Sequence, residues 1–150
     1  MPVRNYSSSV PRGRILLVDD NAHGLCARKT VLEELGHRIT TASSGAEALE
    51  RFTESKFDLV ITDYKMPRMD GLELISRLRK QTPALPVILI SGFADTLGLS
   101  EENTGADVVL QKSANEVSHL LRSVAQLLRK PLKKPAGSAS GAAKAKRKNL

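Results

Sequence analysis

Phe57-Asp58-Leu59-Val60-Ile61-Thr62-Asp63-Tyr64-Lys65-Met66-Pro67-Arg68-Met69-Asp70-Gly71 is the stretch that decides the fold. Leu59 to Ile61 is a short apolar run with two β-branched residues, which predicts a buried strand. A carboxylate, Asp63, stands where the run stops, and a loop with a proline and an Asp-Gly pair begins. An acid there is either a strand end meeting water or a working group at the mouth of a sheet. What the other strands place beside it decides between the two.

Upstream, Ile15-Leu16-Leu17-Val18 predicts a strand of parallel-sheet character, followed at once by Asp19-Asp20-Asn21. Residues 22–35 read as a helix with Leu25, Leu32 and Leu35 along one side, and Gly36 is placed to end it. Cys26 falls inside that helix, where a buried small hydrophobe is expected rather than a reactive thiol. Residues 37–42 predict a second strand. Ser44-Gly45-Ala46-Glu47 has capping-box spacing and opens a helix to about Ser55.

Downstream, Asp70 caps a helix over 71–81 that should bury Leu72, Ile75 and Leu78. Pro83 and Pro86 bound a fourth strand, Val87-Ile88-Leu89-Ile90, which runs into Ser91-Gly92. Residues 94–104 predict a helix weakened by Gly98, Ser100 and Thr104. Val108-Val109-Leu110 is the fifth strand and leads to Lys112. Ser113-Ala114-Asn115-Glu116 has the spacing of another capping box. The helix after it carries Val117, Leu120, Leu121, Val124, Leu127 and Leu128 on one face.

Five β–α units in strict alternation imply an α/β fold, a parallel sheet with helices on both faces. Ligands of such open sheets bind outside the carboxyl ends of the strands. The groups expected there are Asp19, Asp20, Asp63, Ser91 and Lys112.

The 150 residues suit one domain: a loose arm over 1–13, a folded body over 14–130, and a basic tail over 131–150 expected to be disordered. The formal charge of +7 is unevenly spread. Eight basic residues in 129–150 and three in 1–14 leave twelve basics against all sixteen acids in 15–128, a net of −4 for the body. The overall charge is therefore no argument that the body binds nucleic acid. No apolar run reaches the roughly 18 residues of a membrane span, and the polar start is no secretory signal. A lone cysteine suits a reducing cytoplasm.

Three nearby carboxylates repel one another unless a cation or protons intervene. Oxygen ligands suit a hard divalent ion such as Mg²⁺ together with a phosphate. A lysine and a hydroxyl opposite the ion would clamp phosphoryl oxygens. A carboxylate can itself serve as the nucleophile and become an aspartyl phosphate.

With these pieces in order, residues 14–129 resemble a response-regulator receiver domain, the flavodoxin-like module of bacterial two-component signalling. The resemblance is carried by Val18-Asp19-Asp20-Asn21, by Asp63 to Gly71, by Ser91-Gly92, and by Gly105-Ala106-Asp107 leading to Lys112. It implies a five-stranded sheet of order 2-1-3-4-5. It implies that Asp63 accepts a phosphoryl group from a sensor histidine kinase or a histidine phosphotransfer protein. Asp20 and Asp63 would ligate Mg²⁺ directly, Asp19 largely through water, and Lys65 through its backbone carbonyl. Ser91 and Lys112 would each hold a phosphoryl oxygen. The implied protein is a single-domain switch acting on a downstream protein target, not an enzyme with a separate substrate.

Two residues depart from the family's pattern. Val109 stands where receivers usually carry an aromatic residue that swings inward on phosphorylation. Ser113 stands where proline usually follows the lysine. The chemistry should survive both changes, which bear instead on the usual relay to the fourth helix and fifth strand. Three other readings compete. A nucleic-acid or anionic-surface binder would act through Lys144-Ala145-Lys146-Arg147-Lys148. A phosphorylation-independent adaptor would keep the fold but not need the intact acids and lysine. A flavodoxin-like electron carrier would need a phosphate-cradling loop, and the sequence has none.

Overall fold

Strands β1 (Arg14–Val18), β2 (Arg38–Ala42), β3 (Leu59–Asp63), β4 (Val87–Ser91) and β5 (Val108–Gln111) form one parallel sheet of order β2-β1-β3-β4-β5. The computed structural model describes residues 11–92 and 97–129. Most of the expected arm, the whole expected tail and the first part of the expected 94–104 helix lie outside the described residues. The helices are α1 (Ala22–Glu34), α2 (Gly45–Glu54), α3 (Gly71–Gln81), α4 (Glu101–Thr104) and α5 (Glu116–Arg129). Among the described residues, no helix is long and apolar enough to cross a membrane.

Alternation along the strands builds two cores. Ile15, Leu17, Leu59, Ile61, Ile88 and Ile90 pack with Leu32 of α1 and with Leu120 and Val124 of α5. Leu16, Val18, Val60, Val87 and Leu89 pack on the other side with Ala48 of α2 and with Leu74, Ile75 and Leu78 of α3. β3 is central and fully buried, so Asp63 is carried to the carboxyl edge by the most constrained strand of the sheet.

Several local expectations are corrected. Cys26 is exposed, on the solvent side of α1. Leu35 lies beyond the last turn of α1 and is 44% exposed, and Val117 at the start of α5 is 46% exposed. In α3 Ile75 and Leu78 are buried as expected, but the third apolar residue of the buried face is Leu74, and Leu72 is only partly covered. Ser44 does cap α2, accepting from the Glu47 N–H, but the Glu47 carboxylate reaches one residue further back, to the N–H and hydroxyl of Ser43. Ser113 forms no box with Glu116: its hydroxyl accepts from Asn115 N–H, and the Glu116 carboxylate goes to Arg28 instead. After Leu97 the chain turns at Gly98 (φ +67°), and helix resumes only in the four residues of α4.

β5 is one border of the sheet. The Val109 N–H points away from β4 and donates to the Glu101 carboxylate of α4, at 3.1 Å.

His37 sits just before β2 and is buried. Its Nδ1 accepts the Gly13 N–H at 3.1 Å, and its Nε2 is buried with no partner among the described residues. Burial, helped by the Arg12 charge, lowers the pKa of His37 below its ordinary 6.5. A depressed value keeps the fold's advantage above the ordinary pKa and loses it as pH falls through the folded value. The resistance of wild type to urea is therefore expected to fall as pH drops below 6.5. His37→Gln, whose side-chain oxygen can still accept, should flatten that part of the profile.

Candidate functional site

The carboxyl ends of β1, β3 and β5 deliver Asp19, Asp63 and Lys112 to one cleft. With Asp20, Asn21, Lys65, Met66 and Pro67 they line a volume of about 520 Å³. Carboxylate oxygens of Asp19, Asp20 and Asp63 lie within 4.8 Å of one another. Asp19 and Asp63 are buried, and Asp20 faces solvent.

Lys112 starts two strands from Asp63. Strands lie about 4.8 Å apart, so a four-carbon stem can cross β4 and reach. Its Nζ is 2.8 Å from Asp63 Oδ1. The Lys112 N–H also donates to the Ser91 carbonyl at 2.9 Å, which fixes where the stem begins. Burial pushes the Asp63 carboxyl above its ordinary pKa. The Lys112 hydrogen bond opposes this, the Asp19 charge adds to it, and the charges of Lys112 and Arg28 pull the other way.

Local chemistry explains each placement. Asn21, not either aspartate, caps α1, accepting the Gly24 N–H at 3.0 Å. That frees Asp20, while Asp19 Oδ1 accepts the Asn21 N–H at 2.9 Å. Asp70 caps α3 by accepting from the Glu73 N–H, and the Gly71 N–H donates to the Tyr64 carbonyl at 2.7 Å. The loop between β3 and α3 is thereby closed on itself just beyond Asp63.

Within that loop Arg68 has φ +69°, and the Met69 N–H reaches back over it to the Pro67 carbonyl at 2.7 Å. This is a tight three-residue turn in a region unfavourable to a residue with a Cβ, by about 1–2 kcal/mol. Arg68→Gly is expected to raise stability by about 1 kcal/mol in urea unfolding, because it relieves that strain at some entropic cost in the unfolded chain.

Of the expected groups, the structure brings together Asp19, Asp20, Asp63, Lys65 and Lys112. Ser91 ends β4, buried, one residue past Ile90, the sheet partner of Asp63; it is not among the residues lining the cleft. His23 and His119 are exposed and Cys26 faces away, so none joins the cluster.

The sequence reading missed Arg28. It is 7% exposed, with Nη1 2.7 Å from Asp19 Oδ2 and Nε 2.7 Å from Glu116 Oε2. Burial works against its charge, but the hydrogen bonds to Glu116 and Asp19 outweigh it and hold the pKa above the ordinary value. The signal was available: Arg28 lies three residues after Leu25 and four before Leu32, within the stripe that the helical period assigns to the core.

Three clustered oxygen donors with a lysine alongside fit a hard divalent cation and a phosphoryl group. The acidic cleft is suited to phosphorylation of an aspartate. Comparisons with known proteins agree. The response regulator receiver domain model matches residues 15–125. The gliding motility regulatory protein of Myxococcus xanthus is 36% identical over 123 residues, 77% of this chain and 15% of its own length. The response regulator receiver protein CpdR of Brucella abortus is 41% identical over 81 residues, 54% of this chain and 68% of that protein. Among solved structures, the response regulator TrrA of Thermotoga maritima, in complex with Mg²⁺–BeF, superposes with a TM-score of 0.69. It is 36% identical, over 77% of this chain and 98% of that one. The fold is the flavodoxin-like one of these relatives.

Proposed function

We propose, since this chain belongs to the response regulator receiver domain family, that Asp63 accepts a phosphoryl group from a phosphohistidine and so switches which protein the domain binds. Receiver domains partner with histidine kinases, and the module is a signalling device rather than an enzyme. The donor is a sensor histidine kinase or a histidine phosphotransfer protein in the cytoplasm, and the recipient of the signal is a downstream protein target.

The observation that carries this reading is the 2.8 Å contact of Lys112 with Asp63, in a cleft where two further carboxylates stand within 4.8 Å. Such a cluster is repulsive by itself and becomes favourable around a cation. Asp20, Asp63 and the Lys65 backbone carbonyl would hold Mg²⁺ directly, with Asp19 acting largely through water. When bound, the ion neutralises charge on the phosphoryl oxygens.

The chain's own residues do the rest. An Asp63 oxygen attacks phosphorus, and the donor's phosphorus–nitrogen bond breaks with its electron pair left on nitrogen. Lys112 passes from the carboxylate to a phosphoryl oxygen, and the Ser91 hydroxyl turns to a second. Because Val109 offers no ring to swing inward, output follows the loop beyond Asp63 or another face rather than an aromatic switch at that position.

Incubation with acetyl phosphate and Mg²⁺, read by intact mass, tests the proposal. Wild type should gain one phosphoryl mass, and a chelator should prevent it. No gain under conditions that label a known receiver would refute it.

A further inference from the structure

We propose that Arg28 is a built-in counter-cation of the acidic cleft and a positioning residue for Asp19, and that it connects cation loading there to the start of α5. The proposal rests on the magnesium reading above and adds a residue and a route to it.

The guanidinium holds two carboxylates from different elements. Nη1 takes Asp19 Oδ2 and Nε takes Glu116 Oε2, both at 2.7 Å. Glu116 is the first residue of α5. The other Asp19 oxygen accepts the Asn21 N–H, so both of its oxygens are occupied before any metal arrives. A divalent ion approaching Asp19 therefore meets a cation already in place.

The site is built to admit that cation. A Cβ at position 24 would stand 2.8 Å from Asp19 Oδ2 and 3.1 Å from Arg28 Nη1. The first turn of α1 thus carries a glycine, a poor helix former, where a side chain would exclude the guanidinium. Alternation along β3 puts Asp63 on the side of the sheet that α1 and α5 cover, so the Arg28 charge is also felt at Asp63.

The consequence follows from charge. An ion of +2 in the cleft repels Arg28 and weakens its hold on Asp19, whose negative charge it shares. The guanidinium then leans on Glu116. Because its two bonds leave from different nitrogens of one rigid plane, a change at one carboxylate is felt at the other. A lysine keeps the charge but has no rigid plane of separate nitrogens to carry a change from one carboxylate to the other.

Mg²⁺ alone is the probe, titrated into ¹⁵N-labelled wild type, Arg28→Gln, Arg28→Lys and Glu116→Gln, with affinity and amide shifts read together. Arg28→Gln should bind Mg²⁺ about three- to tenfold more tightly, because the competing charge is gone. Glu116→Gln should bind about threefold more weakly, because the whole Arg28 charge then bears on Asp19. Arg28→Lys should stay within about twofold of wild type in affinity, since the charge is kept. The amides of Glu116 and Val117 should shift with Mg²⁺ in wild type and not in any of the three variants.

A purely structural Arg28 would give a different pattern. Affinity would fall in both Arg28→Gln and Glu116→Gln, or the α5 amides would shift in the variants as in wild type; either result overturns the proposal. If Arg28→Gln does not fold, Glu116→Gln alone decides: unchanged or tighter binding there refutes it. Wild type that takes up no Mg²⁺ sinks the magnesium reading itself, whereas uptake without the opposite responses sinks only this inference.

Discussion

Asp63→Asn is expected to remain folded and to gain no phosphoryl mass from acetyl phosphate and Mg²⁺, under conditions where wild type gains one. The carboxamide has no charge and no nucleophilic oxygen to form an acyl phosphate. Loss of a nucleophile removes the reaction rather than slowing it modestly, so labelling should fall by at least about three orders of magnitude. A persistent mass gain would place the acceptor on another residue.

Unfolding is not the expected cause, and the direction of the Asp63 pKa says why. Burial raises it above its ordinary 3.8, with Lys112 only partly opposing. A group raised in the folded state supports the fold at low pH and works against it as pH rises through the folded value. At neutral pH the ionised Asp63 therefore opposes folding. In metal-free buffer, Asp63→Asn should melt at or above the wild-type temperature, an advantage that fades below about pH 4. The Lys112 side chain left behind is 36% exposed and can be solvated.

Gly71→Ala is expected to cause the largest loss of stability among these substitutions. A Cβ there would stand 2.5 Å from the Asp63 carbonyl, 2.8 Å from Leu89 Cδ1 and 3.1 Å from Tyr64 Cα. Two of the three obstacles are backbone, at the last residue of β3 and the residue after it, and these cannot rotate aside as the Leu89 side chain could. Either α3 retreats, breaking the 2.7 Å bond from Gly71 N–H to the Tyr64 carbonyl, or the strand end moves. Overpacking of this kind costs about 1–3 kcal/mol, which for a domain of this size lowers Tm by about 3–12 °C. Thermal melting reads the first effect. Slower phosphoryl uptake reads the second, since Asp63 is attached to the atoms displaced. Melting within a degree or two of wild type, with normal uptake, would mean the helix accommodates the methyl group freely.

Most of the sheet was legible because parallel strands buried on both faces announce themselves as unbroken apolar runs. The runs at 15–18, 59–61 and 87–90 lie inside β1, β3 and β4, and the acids and lysine beyond such runs could only gather at one edge. Charge accounting could go no further. Helical spacing places Arg28 on the core stripe but cannot name its partners, which lie 9 and 88 positions away and meet it only in the packed fold. Spacing also misled at Ser113 and Glu116, since the glutamate that could have closed a box forms the stronger ionic bond to Arg28. Leu72 and Val117, both expected in the core, are respectively only partly covered and exposed, for a geometric reason. A helical stripe drifts around the axis, and which of its edges meets the sheet depends on the crossing of helix and strands, which no local pattern encodes.

The bond from Val109 N–H to Glu101 bears on how copies of this protein behave toward one another. An open sheet border offers donors that a second chain can extend into a ribbon. Here a four-residue helix holds a negatively charged stopper over one of them. Were α4 drawn away, that rung would stand bare, a backbone donor open to a strand from another chain.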